Sequence, residues 1–354
     1  MALLSLVVAC STQAGSGATP PTGGASGHAG SGTAGTSSTG SSGTGGAGTG
    51  AAGTATAAAG GTSSVAGTVG SPVDASADVS GGDTSGAEGG SSSDATAAAT
   101  PSAGCGKAAT QDLAKYVRHT VTNSTRVYDL WVPTGYQPSR AYRTVFIGHG
   151  CDGSIPYPFQ DASKGDAILV ALRSKDSQNS GQLYGGGCFD TMPVNSPELP
   201  YFDQVLADVS ANLCVDKSRV FITGHSSGAW LSFLLGCARA GVIRGAANTA
   251  GALPPGAPTC GGPIAAMMMA DMNDTLNAYA DSAKARDRIL ATNKCGTTTL
   301  PYDWDGDPKT PSVCVQYQGC LPGFPVVWCP TMGLGHSSQI PTSTVGVWRF
   351  WSQL

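Results

Sequence analysis

No hydrophobic core can be assembled from residues 11–104 of this chain, and that fact confines folding to the residues beyond them. The stretch is dominated by Gly, Ala, Ser and Thr, with no aromatic residue, no Leu or Ile and no Lys or Arg. It cannot bury enough apolar surface to offset the entropy of ordering it, and it reads as a disordered, flexible linker. Its few charges are acidic: Asp74, Asp78, Asp83, Glu88 and Asp94. Tryptophans, tyrosines and periodic apolar segments all appear together from Cys105 to Leu354. That remainder, about 250 residues, suits a single α/β domain.

Ahead of the linker, residues 1–10 form a short apolar run ending Leu6-Val7-Val8-Ala9-Cys10. The run is similar to the lipobox of a bacterial lipoprotein signal, although the basic residues expected at the start of a signal are missing. Cleavage before Cys10 would leave a cysteine able to carry lipid, with residues 11–104 as a tether to the membrane. A net charge of −4 and a pI near 5.6 provide no basic surface for nucleic acid. No run of 18 or more apolar residues spans a bilayer.

Besides Cys10, the cysteines are Cys105, Cys151, Cys188, Cys214, Cys237, Cys260, Cys295, Cys314, Cys320 and Cys329. An even number inside the folded part points to disulfides and an oxidising, extracellular compartment. Close Cys-x-x-Cys or Cys/His pairs of the kind zinc needs are lacking. The connectivity stays open.

Strands are expected at 126–132, 144–147 and 167–172 from their alternation or short apolar runs. Phe202, Val205, Leu206, Val209 and Leu213 recur at helical spacing and give one apolar face. A buried strand at 219–223 then runs into Gly224, and a helix comes next over 229–240. Further strands at 264–269 and 326–328, with helices at 278–292 and near 347–351, complete the pattern. Alternating strands and helices imply a mostly parallel sheet covered on both faces.

Gly224-His225-Ser226-Ser227-Gly228 lies at the strand-to-helix junction, where a nucleophile elbow holds a serine on a strained turn with its hydroxyl exposed. Flanking glycines allow close backbone packing, and the helix N-terminus favours developing negative charge. A serine needs a base. His28 is in the linker, His119 precedes the sheet, His149 is in an early loop and His225 is inside the elbow. His336, after the last expected core strand, is therefore the candidate. A carboxylate should orient it, and Asp271 and Asp274, just past the strand at 264–269, both qualify by position. The oxyanion needs two N–H donors: Ser227, and Cys151 in the Gly-rich turn after the strand at 144–147. His149 reads as a structural residue. Trp230 is a candidate for the substrate subsite. Asp303-Trp304-Asp305-Gly306-Asp307 has the alternating acids of a calcium loop but lacks the spaced glutamate. No metal or organic cofactor is expected.

Over Cys105 to Leu354 the chain resembles the feruloyl esterase and poly(3-hydroxybutyrate) depolymerase group of α/β-hydrolases. The resemblance is carried by Ser102-Ala103-Gly104-Cys105-Gly106-Lys107, by His149-Gly150-Cys151 and by Leu213-Cys214-Val215-Asp216-Lys217-Ser218-Arg219-Val220. It is also carried by Ala285-Arg286-Asp287-Arg288-Ile289-Leu290 with Asn293-Lys294-Cys295. Counting back from the Arg-Asp pair, the resemblance implies that Asp274 is the acid, although the His-Gly pair that commonly introduces it there is Ala270-Asp271 here. It implies an α/β-hydrolase fold and a secreted serine esterase, expected as a monomer. The substrate it implies is a hydroxycinnamoyl ester of plant cell-wall polysaccharide or, as the alternative, a polyester; the Arg-Asp helix and cysteine pattern are more similar to the feruloyl esterases. The rival of another class is a tethered surface protein that only binds, against which the ordered Ser226, Asp274 and His336 argue.

Overall fold

The computed structural model describes residues 98–354 except 152, 154–157, 178–186, 193–194, 255–256, 258, 307–312 and 337–339. The run ending at Cys10, nearly all of the linker, and Asp307 lie outside the described residues. The described chain forms one sheet of ten strands. Its middle is parallel: β4 (Ala167–Ala171), β3 (Tyr142–Gly148), β5 (Val215–His225), β6 (Gly245–Thr249), β7 (Ala265–Asp271) and β10 (Val326–Thr331) lie side by side in that order. Antiparallel strands close both edges, β1 (Tyr116–Thr120) and β2 (Val127–Trp131) beside β4, and β9 (Val315–Tyr317) and β8 (Thr299–Pro301) beside β10.

Strands covered on both faces read as continuous apolar runs rather than alternating ones, and Ala167–Ala171 is buried at every position. Successive side chains of β3 feed opposite faces. Phe146 joins Phe202, Val205 and Val209 of α2 (Glu198–Asn212), Leu231 and Leu235 of α3 (Ser227–Ala238), and Ile289 of α4 (Tyr279–Thr292). Val145 and Ile147 instead join Phe159 of α1 (Phe159–Ser163) and Val347, Phe350 and Trp351 of α5 (Ile340–Ser352). Each large side chain buried this way contributes roughly 1.5–3 kcal/mol. The expected layering, a mostly parallel sheet with helices on both faces, is what forms.

All ten cysteines from Cys105 onward are paired: Cys105–Cys214, Cys151–Cys188, Cys237–Cys260, Cys295–Cys320 and Cys314–Cys329. Residues just ahead of Cys105 are packed as well. The Ser102 hydroxyl donates to the Leu213 carbonyl at 2.8 Å, and the Thr100 amide donates to the Asp216 carboxylate at 2.9 Å. Among the described residues, no helix is long and apolar enough to cross a membrane.

Candidate active site

The central strand β5 ends at His225 and α3 begins at Ser227, so the chain must reverse at one residue. Ser226 does this with φ 54° and ψ −117°, a conformation that L-residues rarely adopt and that persists only when the surroundings enforce it. The enforcement is visible. The Ser226 amide donates to the Thr249 carbonyl of β6 at 3.1 Å, and its own carbonyl accepts from Ala229 at 3.0 Å and Trp230 at 3.1 Å. A Cβ on Gly224 would lie 2.2 Å from the Gly228 carbonyl, and one on Gly228 would lie 2.1 Å from the Gly148 oxygen. Only glycine lets β3, β5 and α3 approach this closely. Ser226 makes no side-chain cap on its helix, so its hydroxyl is not spent on α3.

Strands β7 and β10 are parallel neighbours with Asp271 opposite Thr331, so the loops that leave them lie side by side. Asp274 sits on the first and His336 on the second. The His336 Nδ1 lies 2.8 Å and 3.0 Å from the two Asp274 oxygens. The carboxylate is itself fixed by the Leu276 and Asn277 amides, each donating to Oδ1 at 2.9 Å. In the neutral tautomer that donates Nδ1–H to Asp274, the lone pair of His336 lies on Nε2. The Asp274 side chain is 2% exposed and that of His336 12%, so little water competes for the pair. His225, the residue before the serine, reaches the same loop: its Nε2 lies 2.8 Å from the His336 carbonyl and the two rings are 4.7 Å apart.

The two aspartates that position alone left open are separated by their contacts. Asp271 is buried, and its carboxylate receives the Asn273 amide at 2.9 Å, the Thr331 hydroxyl at 2.8 Å and the Leu334 amide at 3.0 Å. Burial pushes this carboxyl up, but these hydrogen bonds outweigh it and hold the group below the usual carboxylate range. Asp274 meets the imidazole; Asp271 meets the loops.

On the other side of Ser226, β3 leads through Gly148, His149 and Gly150 to Cys151, where a turn closes by a 2.9 Å bond from the Gly153 amide to the Gly150 carbonyl. The Cys151–Cys188 disulfide ties this turn to the segment carrying Phe189, whose amide donates to the Ser227 hydroxyl at 2.8 Å. The Ser227 amide opens α3, where the first N–H groups have no partner within the helix and the dipole favours negative charge. Cys151, Ser226, Ser227 and Trp230 line one cleft of about 440 Å³. His149 is not a second base. Its Nδ1 lies 2.6 Å from the Gly150 carbonyl, and its Nε2 accepts the Ser174 amide at 3.2 Å. The acidic loop near 303 is otherwise engaged: Asp303 pairs with Arg349 at 2.6 Å and accepts the Gly306 amide at 2.8 Å. Among the described residues no group of three metal-ligating side chains occurs.

The cleft also contains Phe189, Thr191, Met192, Leu276 and Asn277, none of them singled out from the sequence. They come from loops far apart in the chain and carry no shared motif. The apolar character of Phe189, Met192 and Leu276 outside any periodic segment was the one available signal.

No family model matches the sequence. Feruloyl esterase D of Neurospora crassa is 30% identical over 72% of this chain and 91% of its own length. Probable feruloyl esterase C of Aspergillus terreus is 28% identical over 62% of this chain and 78% of its own. Among solved structures, the acetyl xylan esterase from Aspergillus awamori superposes with a TM-score of 0.50 at 13% identity, over 66% of this chain and 99% of its own. That likeness bears on the α/β-hydrolase fold alone.

Proposed function

Because the chain belongs to the feruloyl esterase family, we propose that it is a serine carboxylesterase that cleaves hydroxycinnamoyl esters, of the feruloyl type, on plant cell-wall polysaccharide. The observation that carries this reading is the pairing of His336 with Asp274 at 2.8 Å, on a loop that His225, the neighbour of the strained Ser226, contacts at 2.8 Å, together with the apolar cleft on which Ser226 opens. The cleft volume of about 440 Å³ falls in the range of roughly 300–1,000 Å³ typical of small-molecule sites. Phe189 and Trp230 put aromatic side chains into the lining of that cleft, which suits an aromatic acyl group.

In the proposed reaction His336 takes the Ser226 proton as the hydroxyl attacks the ester carbonyl. The Cys151 and Ser227 amides stabilise the oxyanion. His336, held by Asp274, passes the proton to the departing alcohol, and water then releases the acid by the same steps in reverse roles. The enzyme works outside the cell as a monomer, tethered through a lipidated Cys10. Five disulfides support the oxidising compartment, and the Leu6 to Cys10 run supports the tether.

A polyester is the second reading, favoured by exposed Met192 and Leu276 at the cleft and by exposed Met272 and Met332 on the loops that carry Asp274 and His336. Ser226→Ala tests the chemistry: turnover of p-nitrophenyl acetate and methyl ferulate should vanish with the thermal midpoint unchanged. Persistent turnover overturns the role of Ser226. Wild-type protein that releases monomer from a poly(3-hydroxybutyrate) film but spares methyl ferulate overturns the substrate.

A further inference from the structure

The acid and the base of the proposed triad arrive on two separate loops, and a second buried carboxylate joins those loops. Asp271, 0% exposed, lies at the last residue of β7. Its Oδ1 accepts the Asn273 amide, next to Asp274, at 2.9 Å. Its Oδ2 accepts the Thr331 hydroxyl at 2.8 Å and the Leu334 amide at 3.0 Å, and the Gly335 backbone also donates to this carboxylate. Leu334 and Gly335 immediately precede His336. A carboxylate has about four acceptor sites, and here they are divided between the two loops. Two more bonds run along the same seam: the Gly333 amide donates to the Asn273 side-chain oxygen at 3.0 Å, and the Met272 amide to the Thr331 carbonyl at 2.9 Å.

We propose that Asp271 is a positioning residue for hydrolysis, a charged clamp that fixes the Asp274 loop against the His336 loop and so sets the distance between acid and base. The inference rests on the roles proposed above for Ser226, Asp274 and His336. Bonds to an ionised acceptor are roughly twice as strong as neutral ones, so the clamp needs the charge as well as the shape. Asparagine keeps the shape, but it lacks the charge and turns one acceptor into an NH₂ that faces donors.

The test compares Asp271→Asn with wild type and with Ser226→Ala on methyl ferulate. A displacement of about 1 Å in a catalytic group costs on the order of 100-fold, so kcat should fall by about 30-fold or more while KM changes by less than about threefold. The downfield proton resonance of His336 Nδ1–H, a signature that a purely structural role would not move, should broaden or shift in a protein that is still folded by circular dichroism. If Asp271→Asn does not fold, Thr331→Val, which removes the hydroxyl that donates to the Asp271 carboxylate at 2.8 Å and keeps the shape, takes its place, with an expected fall of about fivefold in kcat at unchanged KM. Wild-type kcat and an unmoved resonance in the folded variant overturn the clamp while leaving the triad reading intact if Ser226→Ala is dead. Activity in Ser226→Ala overturns the reading beneath it.

Discussion

Two disulfides of nearly equal thermodynamic weight separate stability from catalysis in this enzyme. Cys151–Cys188 encloses a separation of 37 residues and Cys237–Cys260 one of 23. Loop-closure entropy assigns them about 3.8 and about 3.4 kcal/mol, a difference too small to matter. Their positions differ more. Cys151 and Cys188 line the cleft, and their bridge pins the turn whose amide is proposed to face the oxyanion. Cys237 is near the far end of α3, about 15 Å along the helix from its start at about 1.5 Å per residue. Replacing either pair by serines should therefore lower the unfolding free energy by a similar amount. Only the Cys151→Ser, Cys188→Ser protein should lose kcat. Losing one oxyanion donor costs about 100- to 1,000-fold, and the Phe189 amide still bound to Ser227 at 2.8 Å keeps part of the loop in place; a fall of about 10- to 100-fold is expected. The assay is kcat on p-nitrophenyl acetate, each variant being measured well below its own thermal midpoint, alongside urea unfolding. Equal kcat in the two double variants would refute the link between the bridge and the oxyanion turn.

Gly228→Ala forces a methyl to within 2.1 Å of the Gly148 oxygen and should cost about 3 kcal/mol or more. Gly241→Ala, which meets nothing within 4 Å, should stay within about 0.5 kcal/mol. Coincident urea midpoints for the two would argue against the tight backbone contact. Asp271 predicts acid sensitivity: burial raises its carboxyl, yet hydrogen bonds lower it further, so below the usual carboxylate range the unfolded chain binds a proton the native one refuses. Its stabilisation is present above the unfolded-state pKa and lost as pH falls through the folded one. Unfolding midpoints from about pH 6 to about pH 3 should fall less steeply in Asp271→Asn than in wild type; parallel curves would count against it.

Local rules made much of the molecule legible in advance. The composition break, the apolar runs of β3, β4, β5, β7 and β10, the face of α2, and a reversal at Ser226 between strand and helix are all properties of neighbouring residues. His336 emerged from the small number of histidines. Strand β6 did not show itself, because Gly-Ala-Ala-Asn-Thr has neither alternation nor β-branched bulk. It is a strand because β5 and β7 flank it and because small residues let the helices close in, with a Cβ on Gly236 only 3.0 Å from that of Ala246. The partner of each cysteine, the walls of the cleft and the contact between His336 and Asp274 likewise depend on residues tens of positions apart. Asp271 and Asp274 are three residues apart, and spacing says nothing of where each carboxylate aims. Chain-local forces set what each segment can become; which segments meet is decided by how both faces of the sheet are covered, and only the tertiary structure holds that.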